Sequence, residues 1–196
     1  MARKTTGKSS ASQTPRQKAV TAALALAGEK PWEKVTLAEI SKKAKLSFAD
    51  LHEMFADKTD ILAAYGRVID QRVLENAEAN QGESCRDSLF DLMMERFDVL
   101  NENREAVCSI LRSHLADPKQ TVIGLPHLAQ SMSWMLEAAG MSTSGLSGAV
   151  RVAGLTGIYV MALRVWKEDD SEDLSKTMAA LDRYLSRAER WTQSFL

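Results

Sequence analysis

Apolar positions recur at three- and four-residue spacing along most of the chain, and no stretch alternates with period two over a useful length. That pattern predicts an all-α protein of nine helices. Thr14 is placed to cap the first, with Pro15 at the first helical position, where a missing N–H costs nothing. Its inward face is Ala19, Ala22, Ala23, Leu26 and Ala27, and Gly28 is expected to end it in a left-handed turn. Pro31-Trp32 begins a short connection, with Trp32 and Val35 expected to plug the gap beneath the helices that follow. Thr36-Leu37-Ala38-Glu39 then has the form of a capping box, in which hydroxyl and carboxylate each satisfy a backbone N–H that the first turn leaves free. It opens a helix through Ala44. Lys45-Leu46 makes a tight turn, and Ser47-Phe48-Ala49-Asp50 is a second box, opening a helix through Phe55 with Leu51, Met54 and Phe55 inward.

The remaining helices are longer. Asp57 caps a fourth, from near Lys58 to about Gln81, and Gly82 breaks it. Ser84 caps a fifth, and Asn103 a sixth that ends before Pro118. A seventh, about Lys119 to Ala139, contains Pro126, which removes one hydrogen bond and bends the axis. Residues 140–148 read as a loop. The eighth runs from about Ala149 to Lys167, and the ninth, capped by Asp169, Asp170 or Ser171, ends near Ser194.

Composition narrows the class. Of 196 residues, 45% are hydrophobic, enough for a core, and the two cysteines are too few for a disulfide scaffold. No apolar stretch follows the basic start, so no secretory signal is expected. The longest nearly uncharged apolar run, Val152 to Leu163, is too short to span a bilayer. A cytoplasmic protein without a membrane span is the expectation. Net charge is −1 but unevenly spread: residues 1–62 hold 11 Lys/Arg against 7 Asp/Glu (+4), leaving 14 against 19 (−5) for residues 63–196. Arg3, Lys4, Lys8, Arg16 and Lys18 face no acid within the first 18 residues. Residues 1–14 therefore read as a disordered basic arm able to add salt-dependent affinity for a polyanion. Residues 15–62 form a head and 63–196 a body. There is no H-E-x-x-H, phosphate loop, C-x-x-C or G-x-S-x-G, and Cys85, Cys108 and three scattered histidines lack zinc spacing. No catalytic residue, metal or cofactor is expected.

Two short capped helices around a tight turn, behind a supporting helix, have the shape of a helix-turn-helix, whose second helix enters the DNA major groove. The run Thr36-Leu37-Ala38-Glu39-Ile40-Ser41-Lys42-Lys43-Ala44, then Leu46-Ser47, Leu51, Phe55, Lys58, Ile61 and Leu62, resembles TetR-type transcriptional regulators. The pattern covers residues 15–72, and length and helix count fit over the rest. The resemblance implies a three-helix DNA-binding head, a fourth helix linking it to a ligand-binding body, and two last helices that pair with their symmetry mates. Two positions depart from it: Lys45 stands where the family usually has glycine, and His52 where it usually has a tyrosine that reaches phosphate.

On this frame Thr36, Lys45, Ser47, Phe48, Ala49, His52 and Lys58 are the candidate DNA contacts. Thr36 and Ser47 are caps first. Phe48 can meet a thymine methyl or staple its own helix. Lys58, like the family lysine at the start of the fourth helix, is expected on phosphate. Asp50 is assigned to capping and Glu53 to solvated surface. Met94, Phe97, Leu111, His114, Met132 and Met135 read as plain core or as the wall of a pocket for a small apolar ligand, since methionine adapts its shape. Gly154 and Gly157 each cost the eighth helix about 1 kcal/mol relative to alanine, which close approach of another helix would offset. Leu155, Ile158, Tyr159, Ala162, Trp166, Met178, Leu181 and Leu185 are accordingly the candidate seam of a homodimer. The expected function is a ligand-responsive regulator, a repressor, on a near-palindromic site in double-stranded DNA. The alternative is a lipid-binding accessory protein of the ubiquinone-biosynthesis type on a similar fold, favoured by the acidic recognition helix, the missing tyrosine and Leu181-Asp182-Arg183.

Overall fold

The computed structural model describes residues 13–77, 84–116 and 118–195. Most of the basic arm lies outside them. Among the described residues there are nine α-helices, one 3-10 turn and no strand, as the periodicity predicts. Helix α1 (Pro15–Glu29) is capped by Thr14 in a full box with Gln17. It does not end in a left-handed glycine. Lys30 swings extended (φ −154°) and donates its N–H to Leu26 O at 3.1 Å. Pro31 follows, and the residue before a proline is pushed out of the helical region.

A 3-10 turn (Trp32–Lys34) leads to α2 (Leu37–Ala44) and α3 (Phe48–Met54), each opened by the box expected of it. Between them Lys45 adopts the left-handed conformation, φ 57° and ψ 42°. Ser41 Oγ, itself buried, donates to Leu46 O at 2.7 Å and pins the turn. Asp57 Oδ1 then accepts from the N–H groups of Thr59 (2.7 Å) and Asp60 (3.0 Å), starting α4 (Lys58–Ala77). This helix packs on α1 in the head and continues into the body.

The body is α5 (Cys85–Asn101), α6 (Arg104–Ala116), α7 (Pro118–Ala138), α8 (Gly145–Lys167) and α9 (Ser175–Phe195). The eighth helix begins four residues before its expected start, with Gly145 itself at φ +66°. Helix α9 begins later than expected, after Leu174 in a left-handed conformation (φ 52°). The buried Asp169 carboxylate accepts from the N–H and Oγ1 of Thr177, each at 2.7 Å. Burial works against its charge, but bonds from Ser171 and Thr177 outweigh that and hold the group well below the usual carboxylate range. Arg104 closes the other side of this corner, donating to Trp166 O (2.8 Å) and Asp169 O (2.7 Å) with its guanidinium 4.8 Å from the Trp166 ring.

Helix α8, 23 residues long with an 18-residue stretch of mean hydropathy 1.5, is long and apolar enough to cross a membrane, which the shorter uncharged run within it is not. Here it packs between α7 and α9, burying Leu155, Ile158, Tyr159, Ala162 and Trp166.

Candidate nucleic-acid interface and ligand cavity

Helix α3 is seated by Leu51 and by Phe55 just beyond its end, both buried. Its other flank stands free: Ser47, Phe48, Ala49, Asp50, His52 and Glu53 are all exposed, Phe48 at 57%. Asp50 is occupied at the helix start, where its carboxylate accepts the Ser47 N–H at 3.3 Å and its N–H reaches Ser47 Oγ at 3.0 Å. Asp50 thus caps its own helix, while Glu53 stays exposed on it. Thr36, Lys42 and Lys45 are exposed beside it. Lys43 pairs with Glu29, and Lys30 with Glu39. The bond from Lys30, followed by those from Thr36, lowers the Glu39 carboxyl to about 2.

Two basic residues of the head differ from expectation. Lys58 is not directed to the surface. Its Nζ donates to Val35 O at 2.8 Å and Trp32 O at 3.0 Å and lies 4.8 Å from the Trp32 ring. Burial lowers its pKa. Trp32 O already accepts the Val35 N–H at 3.1 Å, and the cation at the first residue of α4 adds a second donor to it and one to Val35 O, so its charge is spent inside the head. Arg16 has the converse history. It reads as one of the unopposed basic residues at the front of the chain, yet Nη1 donates to Met54 O at 3.1 Å and the guanidinium lies 4.5 Å from the Phe55 ring. It caps the C-terminal end of α3, a contact across 38 residues with no local signal.

A cavity of about 420 Å³ opens among α4, α5, α6, α7 and α8. Leu111 and His114 line it. Met132, Met135 and Phe97 are fully buried and do not line it, and Met94 packs against the core from a half-buried position. Periodicity shows that these side chains face inward; whether the space they face is full or empty depends on all five helices. Phe97 instead stacks on Tyr159 with ring centroids 5.5 Å apart. The wall also contains a buried ion pair that the sequence reading passed over, Asp70 on α4 with Arg96 on α5. Ser131 Oγ donates to the same Asp70 Oδ1 at 2.5 Å. Burial works against the Arg96 charge, but Tyr159 and Asp70 together more than offset it and hold the guanidinium protonated. A signal existed: Arg96 falls among Leu92, Met93, Phe97 and Leu100, on the buried face of its helix.

The seam residues also change place. Leu155, Ile158, Tyr159, Ala162, Trp166, Leu181 and Leu185 are buried within the single chain and present nothing to a second one; Met178 alone among them is exposed, at 42%. The chain's own packing of α8 on α7 and α9 takes up that side. The uncovered stripe of α8 is a different one: Leu146 (84% exposed), Val150 (65%), Gly154, Gly157 and Met161 (42%). A methyl group built on Gly154 or Gly157 meets nothing within 4 Å.

An exposed α3 on a three-helix head is thus joined through α4 to a helical body with a cavity. Residues 19–65 match the family described as bacterial regulatory proteins, tetR family. No curated protein matches the chain significantly. Among solved structures, a TetR transcriptional regulator from Nitrosomonas europaea is similar at a TM-score of 0.72 and 24% identity, over 90% of this chain and 99% of that one. A TetR transcriptional regulator from Rhodococcus sp. RHA1 is similar at 0.55 and 19%, over 89% and 97%. The regulator FadR from Bacillus subtilis, solved with stearoyl-CoA, is similar at 0.53 and 13%, over 86% and 97%. At these identities the likeness is one of fold. The chain thus carries a TetR-type head on a body of the same fold.

Proposed function

We propose that the protein is a homodimeric, ligand-responsive DNA-binding regulator acting as a repressor, working in the cytoplasm beside the DNA it controls. The observation that carries this reading is the free flank of α3, with Phe48, Ala49 and His52 uncovered and Asp50 already engaged. Two such helices, one from each chain, would enter successive major grooves about 34 Å apart on a near-palindromic operator. Lys45, Thr36 and Ser47 flank them at the backbone, and Lys58 acts only by holding the head together. The bare stripe on α8, with two glycines open to close approach, supports pairing with a second copy through Leu146, Val150, Met161 and Met178.

Helix α6 supports the ligand response. One side of it lines the cavity through Val107, Ile110, Leu111 and His114. The other holds the head: Ser109 Oγ accepts the Trp32 N–H at 3.1 Å and donates to Lys30 O at 3.3 Å, and Ser113 bonds Glu33. A ligand that fits the cavity better in one position of α6 shifts the head by that difference in affinity and no more.

The test is titration of duplex fragments from the DNA around the gene at two salt concentrations. A regulator prefers one fragment, with affinity falling steeply as salt rises. Phe48→Ala changes the preferred fragment or abolishes the preference. Equal binding to every fragment, with lipid copurifying, would replace this reading with the accessory-protein one.

A further inference from the structure

Helix α3 lacks the side chains that read purines. In the major groove guanine is read by the paired donors of arginine or lysine, and adenine by the amide of asparagine or glutamine. The helix, Phe48-Ala49-Asp50-Leu51-His52-Glu53-Met54, has none of these four. The exposed Lys42 and Lys45 belong to α2 and to the turn after it, and Arg16 is held at Met54 O and the Phe55 ring. Leu51 is buried and Met54 half-buried, which leaves Phe48, Ala49, Asp50, His52 and Glu53 to meet a partner.

Each of the five can recognise only certain base edges. Phe48 has no polar side-chain atom, and at 57% exposure it is not folded back as a staple on its own helix. Its ring matches the C5-methyl group that thymine alone among the four bases presents in the groove. Ala49 adds one methyl beside it and is small enough to let the helix sit close. The Asp50 carboxylate is turned to the Ser47 N–H at 3.3 Å, at the start of the helix. Glu53 stands four residues beyond Ala49, hence on the same face, and is exposed. A carboxylate accepts and does not donate, so it suits the N4 amino group of cytosine and is repelled by O6 and N7 of guanine or O4 of thymine. His52 offers an N–H that the N7 of either purine, or a phosphate oxygen, accepts alike, so it adds affinity without telling bases apart.

We infer that α3 reads pyrimidines: the methyl group of a thymine against Phe48, and the N4 amino group of a cytosine on Glu53, with no paired contact to guanine or adenine. This rests on the regulator reading and states which base edges the same helix recognises. Because Phe48 reads a methyl group and not a whole base, 5-methylcytosine substitutes for thymine beneath it, and cytosine methylation at that position strengthens the complex.

The experiment uses the full chain to select duplexes from a random-sequence library. The selected duplex is then remade with base analogues and titrated by fluorescence anisotropy. Deoxyuridine is put at each selected thymine in turn, in both half-sites. It removes the methyl group and leaves the base pairing, the minor-groove edge and the phosphates as they were. At one thymine, affinity should fall about fourfold per methyl, hence about fifteenfold for the two half-sites together. Phe48→Ala should bind the thymine and deoxyuridine duplexes alike. At that same position 5-methylcytosine, paired with guanine, should bind about fifteenfold more tightly than plain cytosine. Glu53→Gln should select adenine where the native chain selects cytosine, because an amide reads N6 and N7 together. Both side chains are exposed, and circular dichroism should show each variant folded like the native chain. Deoxyuridine without effect at every thymine, a loss that persists in Phe48→Ala, or the same site selected by Glu53→Gln would each overturn the proposal and leave the regulator reading in place. A library from which no sequence is enriched would overturn the regulator reading, and this inference with it.

Discussion

Replacing Lys58 by methionine separates two roles that a lysine at the start of α4 could have. Methionine keeps most of the stem and removes the ammonium. The Trp32 and Val35 carbonyls then lose donors at 3.0 and 2.8 Å, and the Trp32 ring loses the cation 4.8 Å from its centre. Hydrogen bonds to a charged group are worth roughly 1.5–3 kcal/mol each, and an exposed cation–π contact about 0.5–1 kcal/mol. The site is only half-buried and water replaces part of the loss, so the expected decrease in unfolding free energy is about 2–3 kcal/mol. That is a large fraction of the roughly 5–15 kcal/mol by which such domains are stable. Urea unfolding measures it. DNA titration at several salt concentrations, at a temperature where the variant is folded, measures the other role. A lysine on phosphate contributes about 0.9 to the slope of log affinity against log salt, hence about 1.8 for two copies. The structure predicts an unchanged slope. An unchanged urea midpoint together with a slope lower by about 2 would show the reasoning to be wrong.

Lys45→Gly should raise stability by up to about 1 kcal/mol by relieving a left-handed side-chain conformation, and Lys45→Val should lower it, both read from urea midpoints. Gly148→Ala should cost about 2 kcal/mol or more, because the new methyl would fall 2.0 Å from the Thr143 carbonyl; a thermal melt like that of the native chain would contradict this. A methyl group on Gly157 meets nothing within 4 Å in the single chain, so Gly157→Leu should drive sedimenting dimers to monomers by projecting from the bare stripe. Glu39, lowered to about 2 from 4.5, contributes stability that is complete above pH 4.5 and lost as pH falls towards 2; Glu39→Gln should flatten the acid limb of the unfolding profile across that window.

The head was legible because its signals are local. Thr36 with Glu39, and Ser47 with Asp50, lie three residues apart, and a cap is a contract between near neighbours. Leu51, Phe55 and Ile61 likewise announce their burial by spacing alone. What escaped notice depends on distant partners. Arg16 reaches Met54 and Lys58 reaches Trp32, and no window of sequence distinguishes such a lysine from one that faces solvent. The cavity was half legible for the same reason. Leu111 and His114 border the space, but Phe97, Met132 and Met135 fill it, being fully buried. On α8 the apolar residues run nearly all round, so pattern alone could not tell the side taken by α7 and α9 from the side left open.

If the bare stripe on α8 pairs two copies as proposed, it ties this molecule's behaviour to its own abundance. A chain that needs a twin to cover Leu146 and Val150 melts at a temperature that climbs as more of it is dissolved. Scarce copies are single and straddle no paired half-sites. Occupancy of a palindrome would then grow roughly with the square of copy number, and a regulator of the proposed kind would have little effect at low dose without any ligand at all.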